Sequence, residues 1–174
     1  MKKSITERQI SLFESSDSPS TTGSDSWKMC IDGASRGNPG LASCGVVLYH
    51  NDKEYKKEGF FLHIMTNNQA EYMALVAGLL LVKQVMNKGD TLLIISDSQL
   101  LVRQMQGIYK VKNVELIRMH AFASRLLSDV SYTIEHVLRE YNQEADKAAN
   151  QAFETRKKIP ASFIELIKAN EITL

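Results

Sequence analysis

The 174 residues carry 21 Lys and Arg against 20 Asp and Glu, a formal net charge of +1 at pH 7. With 44% hydrophobic and 24% charged residues, the composition is that of an ordinary soluble globular protein, enough for one domain with a substantial core plus a tail. A balance this close to zero excludes a global basic field, so any recognition of nucleic acid falls to local patches.

Cys30 and Cys44 lie in apolar, strand-like runs and read as buried free thiols of a reducing compartment rather than a disulfide. The N-terminus opens Met-Lys-Lys with no apolar h-region. The longest apolar run, Met73 to Val82, is about half of a membrane span. A cytoplasmic protein away from the membrane is expected.

Residues 1–26 form a polar tail whose second half, Ser15 to Ser26, is rich in Ser, Thr, Asp and Gly, as a disordered linker is. Ahead of it Gln9-Ile10-Ser11-Leu12-Phe13 is a small apolar island that cannot build a core but can dock elsewhere. The folded domain is expected from 27 to 154, with 155–174 as a C-terminal extension.

The first strand runs from Trp27 to Asp32, ending at an acid that opens into a Gly-Ser-Asn-Pro loop through Gly40. Ser43 to Asn51 and Lys53 to Ile64 are the second and third strands, an antiparallel meander. Asn67 or Asn68 caps a long helix reaching Met86, apolar around most of its circumference and so packed on more than one side. Thr91 to Ser96 is a short buried strand ending at Asp97, followed by helices from Ser98 to Gln106 and from Val114 to Leu127. Ser131 to Leu138 is a fifth strand, Asn142 to Glu154 an alanine-rich helix, and Ile159 to Asn170 a last short helix. The order β-β-β-α-β-α-α-β-α implies an α/β fold, a five-stranded mixed sheet with helices on both faces.

Four carboxylates recur at the edges of these elements: Asp32, Glu71, Asp97 and Asp146. Singly each has a local explanation: a turn aspartate, a capping box with Asn68, a helix cap, and a residue that favours a helix N-terminus. Together they fall where the edge of an α/β sheet forms sites. Acids gathered there repel one another without a counter-charge. Oxygen ligands without Cys or His suit Mg²⁺ or Mn²⁺. Two such ions, roughly 3.5–4 Å apart, can orient a water and steady a leaving oxygen in phosphodiester hydrolysis.

Asp32-Gly33-Ala34-Ser35-Arg36-Gly37-Asn38-Pro39-Gly40 resembles the first signature of the type 1 ribonuclease H (RNase HI) family. Thr66-Asn67-Asn68-Gln69-Ala70-Glu71, Ser96-Asp97-Ser98-Gln99 and Glu144-Ala145-Asp146-Lys147-Ala148-Ala149 resemble the other three, in the right order, across Trp27 to Glu154. The resemblance implies a ribonuclease H-like fold and an endonuclease that cuts the RNA strand of RNA/DNA hybrids, leaving a 5′-phosphate and a 3′-hydroxyl. It also implies two Mg²⁺ ions, replaceable by Mn²⁺, on Asp32, Glu71, Asp97 and Asp146. Gly33, Asn38, Thr66, Asn67 and Gln99 match substrate-binding positions, with Asn38, Asn67 and Gln99 reaching the minor groove and RNA 2′-hydroxyls, and Thr66 with Asn38 a DNA phosphate. Gln9, Leu12 and Phe13 resemble the short peptide that binds bacterial sliding clamps, with the glutamine hydrogen-bonded and the Leu-Phe pair in an apolar pocket. The enzyme is expected to be a monomer acting in replication-linked removal of RNA.

Two departures bear on rate and affinity. The loop Val137 to Gln143 lacks the histidine many members carry before the last aspartate, leaving Glu140 as a substitute and His136 within a strand. The lysine-rich protrusion of some members is reduced to Lys110 and Lys112 near Tyr109, which implies modest hybrid affinity and a shallow salt dependence. The rival readings are a catalytically weak binding module held to a partner by its tail, against which all four acids speak, and a 3′–5′ exonuclease, whose Asp-x-Glu first strand is absent here.

Overall fold

A computed structural model describes residues 24–174; Gln9, Leu12 and Phe13 lie outside them. The chain runs β1 (Ser26–Gly37), β2 (Gly40–His50), β3 (Lys53–Met65), α1 (Asn67–Val82), β4 (Thr91–Ser96), α2 (Gln99–Met105), α3 (Val114–Leu126), β5 (Ser131–His136), a 3₁₀ turn (Arg139–Tyr141), α4 (Gln143–Thr155) and α5 (Ala161–Ala169). The strands form one sheet in the order β3-β2-β1-β4-β5. β1, β2 and β3 pair antiparallel, whereas β4 lies parallel to both β1 and β5. This is the expected five-stranded mixed sheet.

Helices cover both faces. Gly33 and Gly45 reveal this most directly, because a Cβ on Gly33 would collide with the α1 backbone at Ala70 and Glu71, and one on Gly45 with the α4 backbone at Ala145 and Ala149. Gly33 pairs with Cys44, the neighbour of Gly45, and neighbours along a strand point to opposite faces. α1 therefore lies on one face and α4 on the other. α1 is buried from Ala70 through Val82 because α3 packs over the side the sheet leaves free, so it needs no polar stripe. Small residues of α4, Ala145, Ala148, Ala149 and Ala152, let that helix sit almost on the strands.

β1 is longer than expected. Its pairing with β4 stops at Ile31–Ser96, but its pairing with β2 continues to Gly37–Gly40. Gly33 to Gly40 is thus the paired end of the β1–β2 hairpin with its tip at Asn38-Pro39, not a loop, and Asp32 marks where the parallel centre of the sheet ends rather than where the strand ends. Ser35 supports the extension, its Oγ donating to Met65 O at 2.8 Å. α1 ends at Val82 with Lys83 as its C-cap, four residues short of Met86. Its N-cap is Thr66, in a capping box with Gln69; Asn67 and Asn68 are inside the helix.

The residues after Glu154 are part of the packed body. Phe61 N–H donates to Lys157 O at 2.7 Å along the free edge of β3, and Phe163, Ile167 and Ile172 join the core around α1. Both cysteines are free thiols, and burial pushes that of Cys44 up to about 12. Among the described residues no helix is long and apolar enough to cross a membrane.

Candidate active site

The end of the β1–β4 pairing is where three elements deliver acids. Asp32 comes from β1, Asp97 from the residue after β4, and Glu71 from the second turn of α1, and one carboxylate oxygen of each lies within 4.8 Å of the others. Two local explanations for these acids fall away. Glu71 closes no capping box, since Thr66 and Gln69 form it. Asp97 caps no helix, since Ser98 does, its Oγ accepting from Leu101 N–H at 3.3 Å.

Glu71 reaches the cluster because position 33 has no side chain. A Cβ there would stand 2.2 Å from the carbonyl carbon of Ala70 and from Glu71 N, so only glycine lets α1 come this near to β1. The same approach lets Gly33 N–H donate to Glu71 Oε2 at 3.1 Å.

Asp32 is 5% exposed and Glu71 6%. Burial pushes the Asp32 carboxyl up to about 7, and the charges of Asp97 and Asp146 add to it. Glu71 is raised well above its ordinary value, by burial first and then by Asp32 and Asp97. Arg139 works against both shifts. Acids so placed are short of positive charge, and an all-oxygen cluster without Cys or His fits a hard divalent cation.

Asp146, the fourth expected acid, stands beside this trio rather than within it. Its Oδ1 receives Arg139 Nη2 at 2.6 Å and its Oδ2 receives Asn150 Nδ2 at 3.1 Å. The amide residues divide as well. Asn38, Thr66 and Asn67 form one group at the hairpin tip, where Asn67 N–H donates to Asn38 Oδ1 at 3.1 Å. The Thr66 hydroxyl is engaged in the α1 cap. Gln99, exposed in the first turn of α2, makes no side-chain hydrogen bond among the described residues. His136 is exposed within β5.

Two residues at this site carried no role in the sequence reading. Arg139 is the cation beside the acids, and Asn142 donates from Nδ2 to Ile31 O and to Asp97 Oδ1. The available signal was electrostatic: acids gathered at one edge require a cation and donors nearby, and the segment before the last acid supplies both.

Comparison with known proteins places this geometry. A family described as reverse transcriptase-like matches residues 30–152. Ribonuclease HI of Halobacterium salinarum is 40% identical over 127 residues, covering 71% of this chain and 62% of that protein. The bifunctional protein Rv2228c of Mycobacterium tuberculosis is 37% identical over 129 residues, covering 71% of this chain and 34% of its own length. The chain thus spans less than two thirds of these relatives. The crystal structure of RNase H1 from H. salinarum superposes with a TM-score of 0.71 at 36% identity, over 75% of this chain and 98% of that one. LC11-RNase H1, solved in complex with an RNA/DNA hybrid, superposes with a TM-score of 0.71 at 32% identity, over 74% and 97%.

Sheet order and an acidic edge of this kind define a ribonuclease H-like domain. This chain belongs to the reverse transcriptase-like family, in its type 1 ribonuclease H branch.

Proposed function

We propose that the protein is an endonuclease that hydrolyses the RNA strand of RNA/DNA hybrids, leaving 5′-phosphate and 3′-hydroxyl ends. The observation that carries this reading is the convergence of Asp32, Glu71 and Asp97, from three elements, within 4.8 Å, where burial and mutual repulsion raise the Asp32 and Glu71 carboxyls. The hybrid seen with LC11-RNase H1 supports the substrate class.

In this reading Asp32, Glu71, Asp97 and Asp146 hold two Mg²⁺ ions, with Mn²⁺ as a substitute. Bound there, the ions would supply the Lewis acidity needed to activate a water and to offset charge on the leaving oxygen. The chain's own residues do the rest. Gly33 admits α1, and with it Glu71, to the site. The amides of Asn38, Asn67 and Gln99 both donate and accept, as recognition of a 2′-hydroxyl requires. Thr66 and Asn38 meet a phosphate of the DNA strand at the hairpin tip. Arg139, paired with Asp146, neutralises part of the acidic field.

The domain is residues 27–154, the protein works in the cytoplasm as a monomer, and residues 155–174 are an extension packed on it. Gln9, Leu12 and Phe13 tether it to a bacterial sliding clamp, raising its concentration near replication sites. That tether offsets a weak grip, because the protrusion offers only Lys110 and Lys112 beside exposed Ile108 and Tyr109.

The test is to incubate the protein with end-labelled RNA/DNA hybrid and Mg²⁺, alongside the same sequence as duplex DNA. Internal cuts in the RNA alone, lost in Asp97→Asn, are expected. Hybrid left intact with both Mg²⁺ and Mn²⁺ sinks the proposal in favour of a binding module. For the tail, alanine at Leu12 and Phe13 is expected to abolish clamp binding, and unchanged binding ends that part of the reading.

A further inference from the structure

Asn142 precedes α4 on the rim of the site, yet it is only 2% exposed, and its side chain makes no cap for that helix. Its Nδ2 instead donates to Ile31 O at 2.8 Å and to Asp97 Oδ1 at 3.1 Å. A peptide carbonyl and a carboxylate oxygen are acceptors, so these two bonds use both amide hydrogens and fix which way the amide faces. Its backbone oxygen accepts Asp146 N–H at 3.2 Å. One residue therefore joins the β1 peptide just before Asp32, the carboxylate of Asp97, and the first turn of the helix that carries Asp146. Its Oδ1 is buried with no hydrogen-bond partner among the described residues. A buried amide with half its capacity unmet is disfavoured unless a site requires it.

We propose that Asn142 is the positioning residue of this active site, holding the Asp97 carboxylate in the orientation that completes the acid cluster and setting the spacing of β1, β4 and α4 around it. The proposal rests on the endonuclease reading above. Asn142 touches neither water nor substrate in it; it acts through Asp97. Residues that orient metal-holding groups in this way change metal affinity or turnover by about 10–100-fold when removed.

The experiment is calorimetric titration of Mg²⁺ alone into the protein, paired with hybrid cleavage kinetics. Asn142→Ala is expected to weaken Mg²⁺ binding and lower kcat by about 10–100-fold, with KM for the hybrid within about twofold, since no hybrid contact is removed. Asn142→Ser, which keeps one donor, is expected to recover part of both, and it takes the place of the alanine variant if that one fails to fold. In an Asp97→Asn background Asn142→Ala is expected to change Mg²⁺ affinity no further, because its route of action is gone. Mg²⁺ affinity equal to that of the unsubstituted protein overturns the proposal. So does a loss that repeats in full in the Asp97→Asn background, which means the residue acts through the fold at large. If the unsubstituted protein itself neither binds Mg²⁺ nor cuts hybrid, the endonuclease reading falls first and this one with it.

Discussion

The molecule buries carboxylates at both ends of its sheet and treats them in opposite ways. At the end where β1 begins, Asp90 is 6% exposed and accepts from Asp25 N–H at 3.0 Å, Trp27 Nε1 at 3.0 Å and Asn87 N–H at 2.9 Å. At the other end Asp32 and Glu71 are buried just as deeply, but Glu71 has one backbone donor and both face further acids. The same chemical group, at the same burial, closes a structure in one place and is left short of partners in the other. Depth of burial therefore says little about role. What separates the two ends is whether donors or like charges surround the oxygen.

The sharpest way to break this contrast is to remove one acid from each end. Asp32→Asn is expected to lower hybrid cleavage at least ~10³-fold, several kcal/mol of transition-state stabilisation, while raising the stability of the metal-free protein by relieving repulsion. Cleavage assays and urea titration in a chelator check both signs. A variant that is inactive and also less stable would place Asp32 with Asp90 as a structural acid.

The pH dependence follows from the same crowding. The Asp32 carboxyl has an ordinary value of 3.8 and is pushed up to about 7, and Glu71 is raised too. Between those values the native state keeps protons that the unfolded chain has released. This contribution is therefore fully present below about pH 4 and is lost as pH rises through about 7. For Asp32 it amounts to at most on the order of 4 kcal/mol. Metal-free protein should show a lower urea midpoint at pH 8 than at pH 5, with Mg²⁺ restoring much of the difference and Asp32→Asn flattening it. A midpoint that rises with pH and ignores Mg²⁺ would mean the acids are not crowded.

At the opposite end Asp90→Ala leaves three buried or part-buried donors unmatched, which should destabilise by about 3 kcal/mol. Turnover at a temperature where the variant is folded should match that of the unsubstituted protein. Thermal melts with parallel kinetics decide this. A kcat loss without a stability loss would erase the distinction between the two ends.

How much of this was legible in the sequence depends on how local each feature is. The order of strands and helices was legible from apolar segments separated by turn residues, and the unbroken apolar run of α1 foretold a helix covered on more than one side. The extension of β1 to Gly37 was not legible, since Gly-Ala-Ser-Arg-Gly has the composition of a loop and is held straight by pairing with β2 and by the Ser35–Met65 bond. The cap of α1 fell at Thr66, one residue before Asn67 and two before Asn68, because Thr66 and Gln69 satisfy each other. The acids announced themselves as charges on the ends of apolar segments. Asn142 and Arg139 did not, because their roles depend on a turn folding back: the Asn142 bond to Ile31 spans 111 positions. Contacts of that range leave no periodic trace.

Arg139 offers the smallest and most discriminating effect. Its Nη2 stands 2.6 Å from Asp146 Oδ1, but its side chain is 76% exposed, so as an ion pair it is worth under about 1 kcal/mol of stability. Its charge nonetheless opposes the shifts of Asp32 and Glu71, which makes it a resident competitor for any cation drawn to the acids. Arg139→Ala should therefore tighten Mg²⁺ binding about two- to fivefold, in line with an exposed charge interaction of that size, and Arg139→Lys should restore it. Calorimetry of Mg²⁺ alone reads this without relying on cleavage. Tighter binding makes the guanidinium a placeholder for the ion, and sets this end of the sheet apart from the Asp90 end, where the donors are permanent. Unchanged affinity makes the Arg139–Asp146 pair a fixed part of the fold and moves Asp146 to the structural side of the comparison.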